Sequence, residues 1–169
     1  KMEFQGDFNV EVFRRSAAHV IQRHPILFAK ISEDGQWQSI GPVATVEIPL
    51  IDLDSEENEP VEERVGAVLA DEVTIPFNLL TGPLWRAKIL RLSGTRYVVA
   101  WTVHHIVCDG WSSGVLIDEL AKTYSAFLQG HTPTLEPPIS FCDYASLALA
   151  DGMAFEGAIN YWKKQLIQV

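Results

Sequence analysis

Residues 97–103 read Tyr-Val-Val-Ala-Trp-Thr-Val and run directly into His-His-Ile-Val-Cys-Asp-Gly at residues 104–110. The first seven residues are rich in β-branched and aromatic side chains and do not alternate with polar ones, which predicts a strand buried on both faces. After the glycine, apolar residues recur with helical spacing at Leu116, Leu120, Tyr124 and Phe127. The stretch therefore predicts a buried strand, a tight loop and a helix, with both histidines at the strand end.

The predicted loop contains residue types that acid–base chemistry uses. An imidazole, with an ordinary pKa of about 6.5, accepts or donates a proton near neutral pH. Neighbouring residues on an extended segment face opposite sides, so we expect His105 to face a substrate and His104 to face the interior and orient the loop. We expect Asp109 to fix the loop by bonding an imidazole or an arginine, and Gly110 to adopt a φ that residues with a Cβ avoid.

Two other interpretations of this loop stay open. Histidines at a strand end can be satisfied polar residues, and Asp-Gly is common in turns. A metal site uses the same residue types, but adjacent histidines diverge and no third ligand with a familiar spacing is nearby. The complete run is rare at average composition, which favours the catalytic interpretation.

Composition and charge narrow the class of protein. The chain has 169 residues, of which 47% are hydrophobic, enough for one globular domain. Its 13 basic and 22 acidic residues give a net charge of −9, which argues against nucleic acid or an anionic membrane as the main partner. We find no signal peptide and no apolar run of membrane-spanning length. We interpret Cys108 and Cys142 as free thiols, which favours a cytoplasmic protein, and a disulfide between them is the alternative.

Seven acidic residues lie between Asp52 and Glu63. We interpret this segment as a solvated connection that runs into the next helix. A docking surface for a basic partner is the alternative.

The rest of the chain predicts interspersed strands and helices. The expected strands are Met2–Phe8 at a sheet edge, a hairpin of Ile26–Ile31 and Gln36–Ile40 around Asp34-Gly35, and a half-exposed strand from Leu84 to Leu92. The first expected helix starts at Asn9 and ends before Pro25, and the second starts at Pro60 and ends before Pro76. Two more are expected at Phe141–Ala150 and Phe155–Leu166. The second helix should bury Val61, Val65, Val68, Leu69 and Val73. This pattern predicts an α+β fold, a mixed and largely antiparallel sheet covered by helices.

Several segments together resemble the condensation domains of nonribosomal peptide synthetases, members of the chloramphenicol acetyltransferase-like superfamily. These segments are Arg23-His24 with Leu27, Pro76-Phe77-Asn78-Leu79, Gly82-Pro83-Leu84 with Arg86, the His-His-x-x-x-Asp-Gly motif with Trp111-Ser112, Phe141-Cys142-Asp143-Tyr144-Ala145, and Tyr161-Trp162. They occur in the family's order and approximate spacing and cover most of the chain.

The resemblance implies a chloramphenicol acetyltransferase-like lobe that takes part in joining an acyl group on one carrier protein to the amino group of an aminoacyl thioester on another. Peptidyl or acyl carrier proteins would be the partners. Their phosphopantetheine arms would carry the substrates, so no cofactor is expected to bind this chain directly. His105 matches the second motif histidine, which acts as base or positions the amine. Of the other motif positions, His104 matches the first histidine, Asp109 the structural aspartate and Gly110 the glycine whose amide faces the reacting centre.

One position departs from the family pattern. Condensation domains usually have an arginine where this chain has Phe28, and that arginine pairs with the motif aspartate. A buried, ionised Asp109 needs another cation, because an unpaired buried carboxylate is costly. We expect Arg86 to supply it, with Arg23 as the second candidate.

Family members consist of two similar lobes with the histidine motif near their junction. We expect residues 1–169 to form a partial N-terminal lobe that lacks the second lobe and is inactive in isolation, because half of the substrate tunnel would be absent. An ester-forming or polyketide-associated acyltransferase of the same superfamily is an alternative function. So is a non-catalytic docking module for partner enzymes, although such members tend to lose the motif histidines.

Overall fold

A computed structural model describes residues 1–43, 47–54, 59–150 and 152–167. The chain divides into two compact units, Lys1–Leu135 and Glu136–Val169. The strands of the first unit are β1 (Met2–Gln5), β2 (Ala29–Ile31), β3 (Gln38–Ile40), β4 (Leu50–Asp52), β5 (Trp85–Ser93) and β6 (Arg96–Val103). Its helices are α1 (Val10–Arg23), α2 (Val61–Thr74) and α3 (Gly110–Leu128).

The main sheet of the first unit has the strand order β1-β6-β5-β4. β6 lies between β1 and β5 and is antiparallel to both, whereas β4 runs parallel to β5. β2 and β3 form a separate antiparallel hairpin. The predicted α+β class, with a mixed and largely antiparallel sheet, is confirmed. β4 was not predicted, because it has three residues and follows a segment without clear alternation.

Helices cover both faces of the main sheet. On one face, α1 and α3 pack with Trp85, Ala87 and Ile89 of β5 and Val99 of β6. On the other face, α2 covers Leu90, Leu92 and Val98. The alternation along β5 therefore places Trp85, Ala87 and Ile89 on one face, as predicted. The opposite face of the strand, expected to be exposed, is covered by α2 at Leu90 and Leu92.

The ends of α1 follow directly from the sequence. The side chain of Asn9 accepts a hydrogen bond from the Val12 amide at 3.0 Å and caps the helix, as predicted. The helix ends at Arg23, before Pro25. Pro25 begins a 3₁₀ turn through Phe28, so the strand predicted from Ile26 is wrong over its first three residues.

The last turn of α2 does not follow the apolar pattern. Val73, expected in the core, is 76% exposed, whereas Glu72 is 2% exposed. Glu72 faces two cations on β5, Arg86 and Lys88, and this pairing decides which side of the helix end is buried.

The second unit contains two helices, α4 (Phe141–Ala150) and α5 (Gly152–Leu166). The start of α5 differs from the predicted Phe155. The segment between α3 and α4 has no regular structure, and Gly130, with φ of +72°, follows the end of α3 as expected. None of the helices in the described ranges has the length and apolar character needed to cross a bilayer.

Candidate active site

The end of β6 and the start of α3 hold the histidine loop. Val98, Val99 and Ala100 of β6 are buried, but the last three residues of the strand are half-buried, so the prediction of burial on both faces holds for the middle of the strand only. Beyond the strand, the His104 amide donates to the Leu84 carbonyl at 2.8 Å, and the Val107 amide donates to the His104 carbonyl at 3.1 Å. The loop therefore turns tightly at a position that the sheet fixes.

The imidazole of His104 is half-buried and lies against its own loop. Its Nδ1 accepts a hydrogen bond from the Ile106 amide at 3.1 Å. Its ring also contacts Phe77 in a T-shaped arrangement, with centroids 5.9 Å apart and planes at 81°. Because Nδ1 is an acceptor, a neutral His104 carries its proton on Nε2.

The imidazole of His105 is exposed. Across the described ranges, no side chain hydrogen-bonds to this ring or stacks on it. Adjacent histidines thus differ: one is held by the loop and by an aromatic ring, and the other is exposed to solvent.

Asp109 is a helix cap, which corrects the expected ion pair. It is the N-cap residue of α3, and its Oδ1 accepts hydrogen bonds from the amide and the hydroxyl of Ser112 at 2.8 and 2.7 Å. These bonds lower the pKa of Asp109 below its usual value. Because the carboxylate is exposed and capped in this way, it does not need the cation that a buried carboxylate would need.

The two arginines expected near Asp109 serve other carboxylates. Arg86 pairs with Glu72, and Arg23 binds Glu119 through Nε and Nη2 at 3.0 and 3.2 Å. Phe28, at the family's arginine position, is buried against the Trp85 ring with centroids 6.4 Å apart. An apolar contact therefore occupies the position where the resemblance implied an arginine, and the prediction that Arg86 or Arg23 pairs with Asp109 is wrong.

Gly110 is the first residue of α3 and does not adopt a positive φ, so the reason given for a glycine there is also wrong. A Cβ at this position would meet nothing within 4 Å. As the first helical residue, its N–H has no acceptor within the helix. Neither backbone conformation nor local packing demands a glycine here.

Glu72 and Glu119 are buried carboxylates that the sequence analysis missed. Burial raises the pKa of Glu72, but hydrogen bonds and charges from Lys88 and Arg86 outweigh it and leave the pKa lowered. The pKa of Glu119 is lowered against its burial in the same way, by Arg23 and His24. A glutamate inside an apolar helix face, with basic residues on a neighbouring strand or helix, is the only signal the sequence offers.

An apolar cavity of about 220 Å³ lies between the β1–β6 edge and α3. Its walls are Lys1, Met2, Trp101, Ser113, Leu116, Ile117 and Leu120. The motif histidines are not among them. Within the described ranges, no group of three or more histidine, cysteine or carboxylate side chains is placed to hold a metal ion.

The family model of the condensation domain matches residues 1–169. The chain belongs to the condensation-domain family. The resemblance to condensation domains of nonribosomal peptide synthetases is thereby confirmed.

Individual relatives support the assignment to condensation domains. The chain is 32% identical over 169 residues to chondramide synthase cmdD of Chondromyces crocatus, a match that covers 97% of the chain and 4% of that protein. It superposes on the starter condensation domain of rhizomide synthetase RzmA with a TM-score of 0.81 and 25% identity, over 96% of the chain and 40% of that structure. A complex of the X-domain and OxyB from teicoplanin biosynthesis gives a TM-score of 0.82 and 28% identity, over 99% of the chain and 37% of that structure. The condensation-domain chain therefore spans well under half of each of these relatives.

Proposed function

We propose that this condensation-domain chain supplies the histidine side of a site that joins an acyl group on one carrier protein to the amino group of an aminoacyl thioester on another. The observation that carries the proposal is the exposed ring of His105 on a loop where His104 Nδ1 and the Asp109 carboxylate already have hydrogen-bond partners. His104 and Asp109 hold the loop, so His105 is left to meet a substrate.

The chemistry of the step follows from the two thioesters. The amine nitrogen attacks the thioester carbonyl, a C–N bond forms and the C–S bond breaks, and the proton lost by nitrogen ends on the leaving thiolate. His105 positions the amine and accepts its proton. Gly110 donates its N–H, at the positively polarised end of α3, to the developing oxyanion. The phosphopantetheine arms that carry both substrates belong to the carrier proteins.

We further propose that a second lobe of the same condensation domain completes the site, and that the domain acts in the cytoplasm. Ile106 and Trp111, which flank the motif, are 50% and 87% exposed. Apolar side chains of this size are typical of a surface that another part of a protein covers. The solved RzmA domain is longer than the part this chain matches, which agrees with a further lobe. The chain in isolation is therefore expected to be inactive.

The test is amide formation by the complete condensation domain with both carrier proteins loaded. Replacing His105 by alanine should lower kcat by at least about a hundredfold, the lower end of what a general base contributes. His131→Ala is the matched control, because His131 is exposed and lies after α3, outside the motif. Amide formation by His105→Ala at the wild-type rate would refute the catalytic proposal. Offering a hydroxyl in place of the amine separates amide from ester formation.

A docking module is the second candidate function, favoured by the similarity to the X-domain that was solved in complex with OxyB. In that case binding of a partner enzyme would persist in His105→Ala and Asp109→Asn variants, and carrier-bound substrates would not be joined. The intact motif supports the catalytic function instead, since docking requires neither histidine.

A further inference from the structure

A charged cluster lies one side chain away from the motif histidine His104, with Phe77 between them. Its anion is Glu72, at the end of α2, with a side chain that is 2% exposed. Its cations are Arg86 and Lys88, two residues apart on β5 and therefore on the same face of the strand. Lys88 Nζ lies 2.6 Å from Glu72 Oε2, and Arg86 Nε bonds Oε1. The carboxylate therefore holds both cations against the end of the helix.

Arg86 also binds the backbone where α2 ends. Its Nη2 donates to the carbonyls of Glu72 and Ile75 at 2.7 and 2.6 Å. Its guanidinium carbon lies 4.1 Å from the centroid of the Phe77 ring. These contacts fix the plane of the guanidinium, and that plane in turn fixes the ring of Phe77, two residues after Ile75.

Phe77 connects this cluster to the loop. Its ring contacts the imidazole of His104. That imidazole accepts a hydrogen bond from the Ile106 amide, which closes the turn that contains His105. The strand register places both ends of this connection together, since Arg86 is opposite Thr102 and the His104 amide bonds the Leu84 carbonyl. A displaced Phe77 ring would leave one side of His104 unsupported.

We infer that Glu72, Arg86 and Phe77 are positioning residues for the condensation reaction: the ion-paired guanidinium orients Phe77, and Phe77 orients His104 and thereby the direction of His105. The inference rests on the proposed function of His105. A positioning role can be distinguished from a purely stabilising one, because a substitution at Phe77 removes the aromatic ring and leaves the Glu72–Arg86–Lys88 ion pairs intact.

The experiment compares variants of the complete condensation domain in kcat, KM, thermal midpoint and the NMR signals of ¹³C,¹⁵N-labelled histidine. Phe77→Leu removes the aromatic face and keeps an apolar side chain, and Phe77→Tyr restores the face. Leu80→Ala is the matched control, since Leu80 lies in the same connection between α2 and β5 and is 47% exposed. Arg86→Lys keeps the charge but loses the guanidinium plane.

Phe77→Leu should lower kcat about tenfold with unchanged KM, because a small misplacement of a catalytic group slows the reaction without weakening binding. Phe77→Tyr should recover most of kcat. The His104 imidazole signals should shift in Phe77→Leu and Arg86→Lys because the ring beside them is lost or reoriented, and they should not move in Leu80→Ala. If Phe77→Leu does not fold, Arg86→Lys provides the same readouts.

Wild-type kcat in folded Phe77→Leu, or unmoved His104 signals in both variants, would overturn the positioning role. Failure of the proposed function is distinguishable, because it would appear as equal turnover by the wild-type and His105→Ala proteins whatever happens at Phe77.

Discussion

Replacing Arg86 by alanine removes one cation from a carboxylate that water hardly reaches. Glu72 is 2% exposed, and Arg86 bonds both its carboxylate and its carbonyl. The variant leaves this charge desolvated with Lys88 still beside it. We therefore expect a large loss in the free energy of unfolding, although Arg86 itself is partly exposed.

The size of the loss follows from the contacts. Breaking a buried ion pair by removing one partner costs about 3–5 kcal/mol, because the remaining charge is uncompensated. Lys88 continues to neutralise Glu72, and the Arg86 side chain is 23% exposed, so the lower end of that range applies, about 3 kcal/mol. With a urea dependence of about 2 kcal/mol per molar, the unfolding midpoint should fall by about 1.5 M.

The assay is equilibrium urea unfolding of the 169-residue chain at neutral pH, followed by tryptophan fluorescence and far-UV circular dichroism. Coincident transitions by both probes establish that one free energy of unfolding describes the chain. Arg96→Ala is the control, because Arg96 pairs with Glu62 on the surface, where an ion pair contributes less than about 1 kcal/mol.

A second comparison isolates the cost of leaving the buried Glu72 carboxylate without Arg86. In a Glu72→Leu background, Arg86→Ala should cost less than in the wild type, since no buried carboxylate is left behind. Equal losses for Arg86→Ala and Arg96→Ala, or the same loss for Arg86→Ala in both backgrounds, would refute the reasoning.

Two further predictions concern the cap of α3 and the pH dependence of stability. Asp109→Ala should lower the thermal midpoint because α3 loses its cap, and Asp109→Asn should restore most of it because an amide oxygen also accepts the Ser112 bonds; an Asn variant as unstable as the Ala variant would contradict the capping role. Glu72 and Glu119 have folded-state pKa values below their ordinary value of 4.5, so the unfolded chain binds protons first and stability is lost as pH falls below about 4.5. Urea midpoints between pH 6 and 3 should fall less steeply in a Glu72→Gln, Glu119→Gln variant, and identical slopes would contradict this assignment.

Local signals in the chain predicted most of the elements that build the site. The β-branched run at residues 97–103 and the helical spacing from Leu116 onward are properties of neighbouring residues, so the strand, loop and helix could be predicted without knowing what packs on them. The Asn9 cap and the stop before Pro25 are local in the same sense. β4 was missed because three residues give too little periodicity, and its pairing with β5 depends on distant parts of the chain.

The sequence by itself determined the strand, loop and helix that carry the motif, the adjacency of His104 and His105, and membership of the condensation-domain family, because these depend on residue type and spacing. Only the tertiary structure decided the charge pairing. Arg86 binds Glu72 and not Asp109, because α2 brings the buried Glu72 carboxylate against β5. Asp109 instead accepts a hydrogen bond from the Ser112 amide at the start of α3. The strength of an ion pair depends on the distance between the two charges in space and on their burial. Spacing along the chain does not predict either of these, so tertiary packing decides which carboxylate each arginine binds.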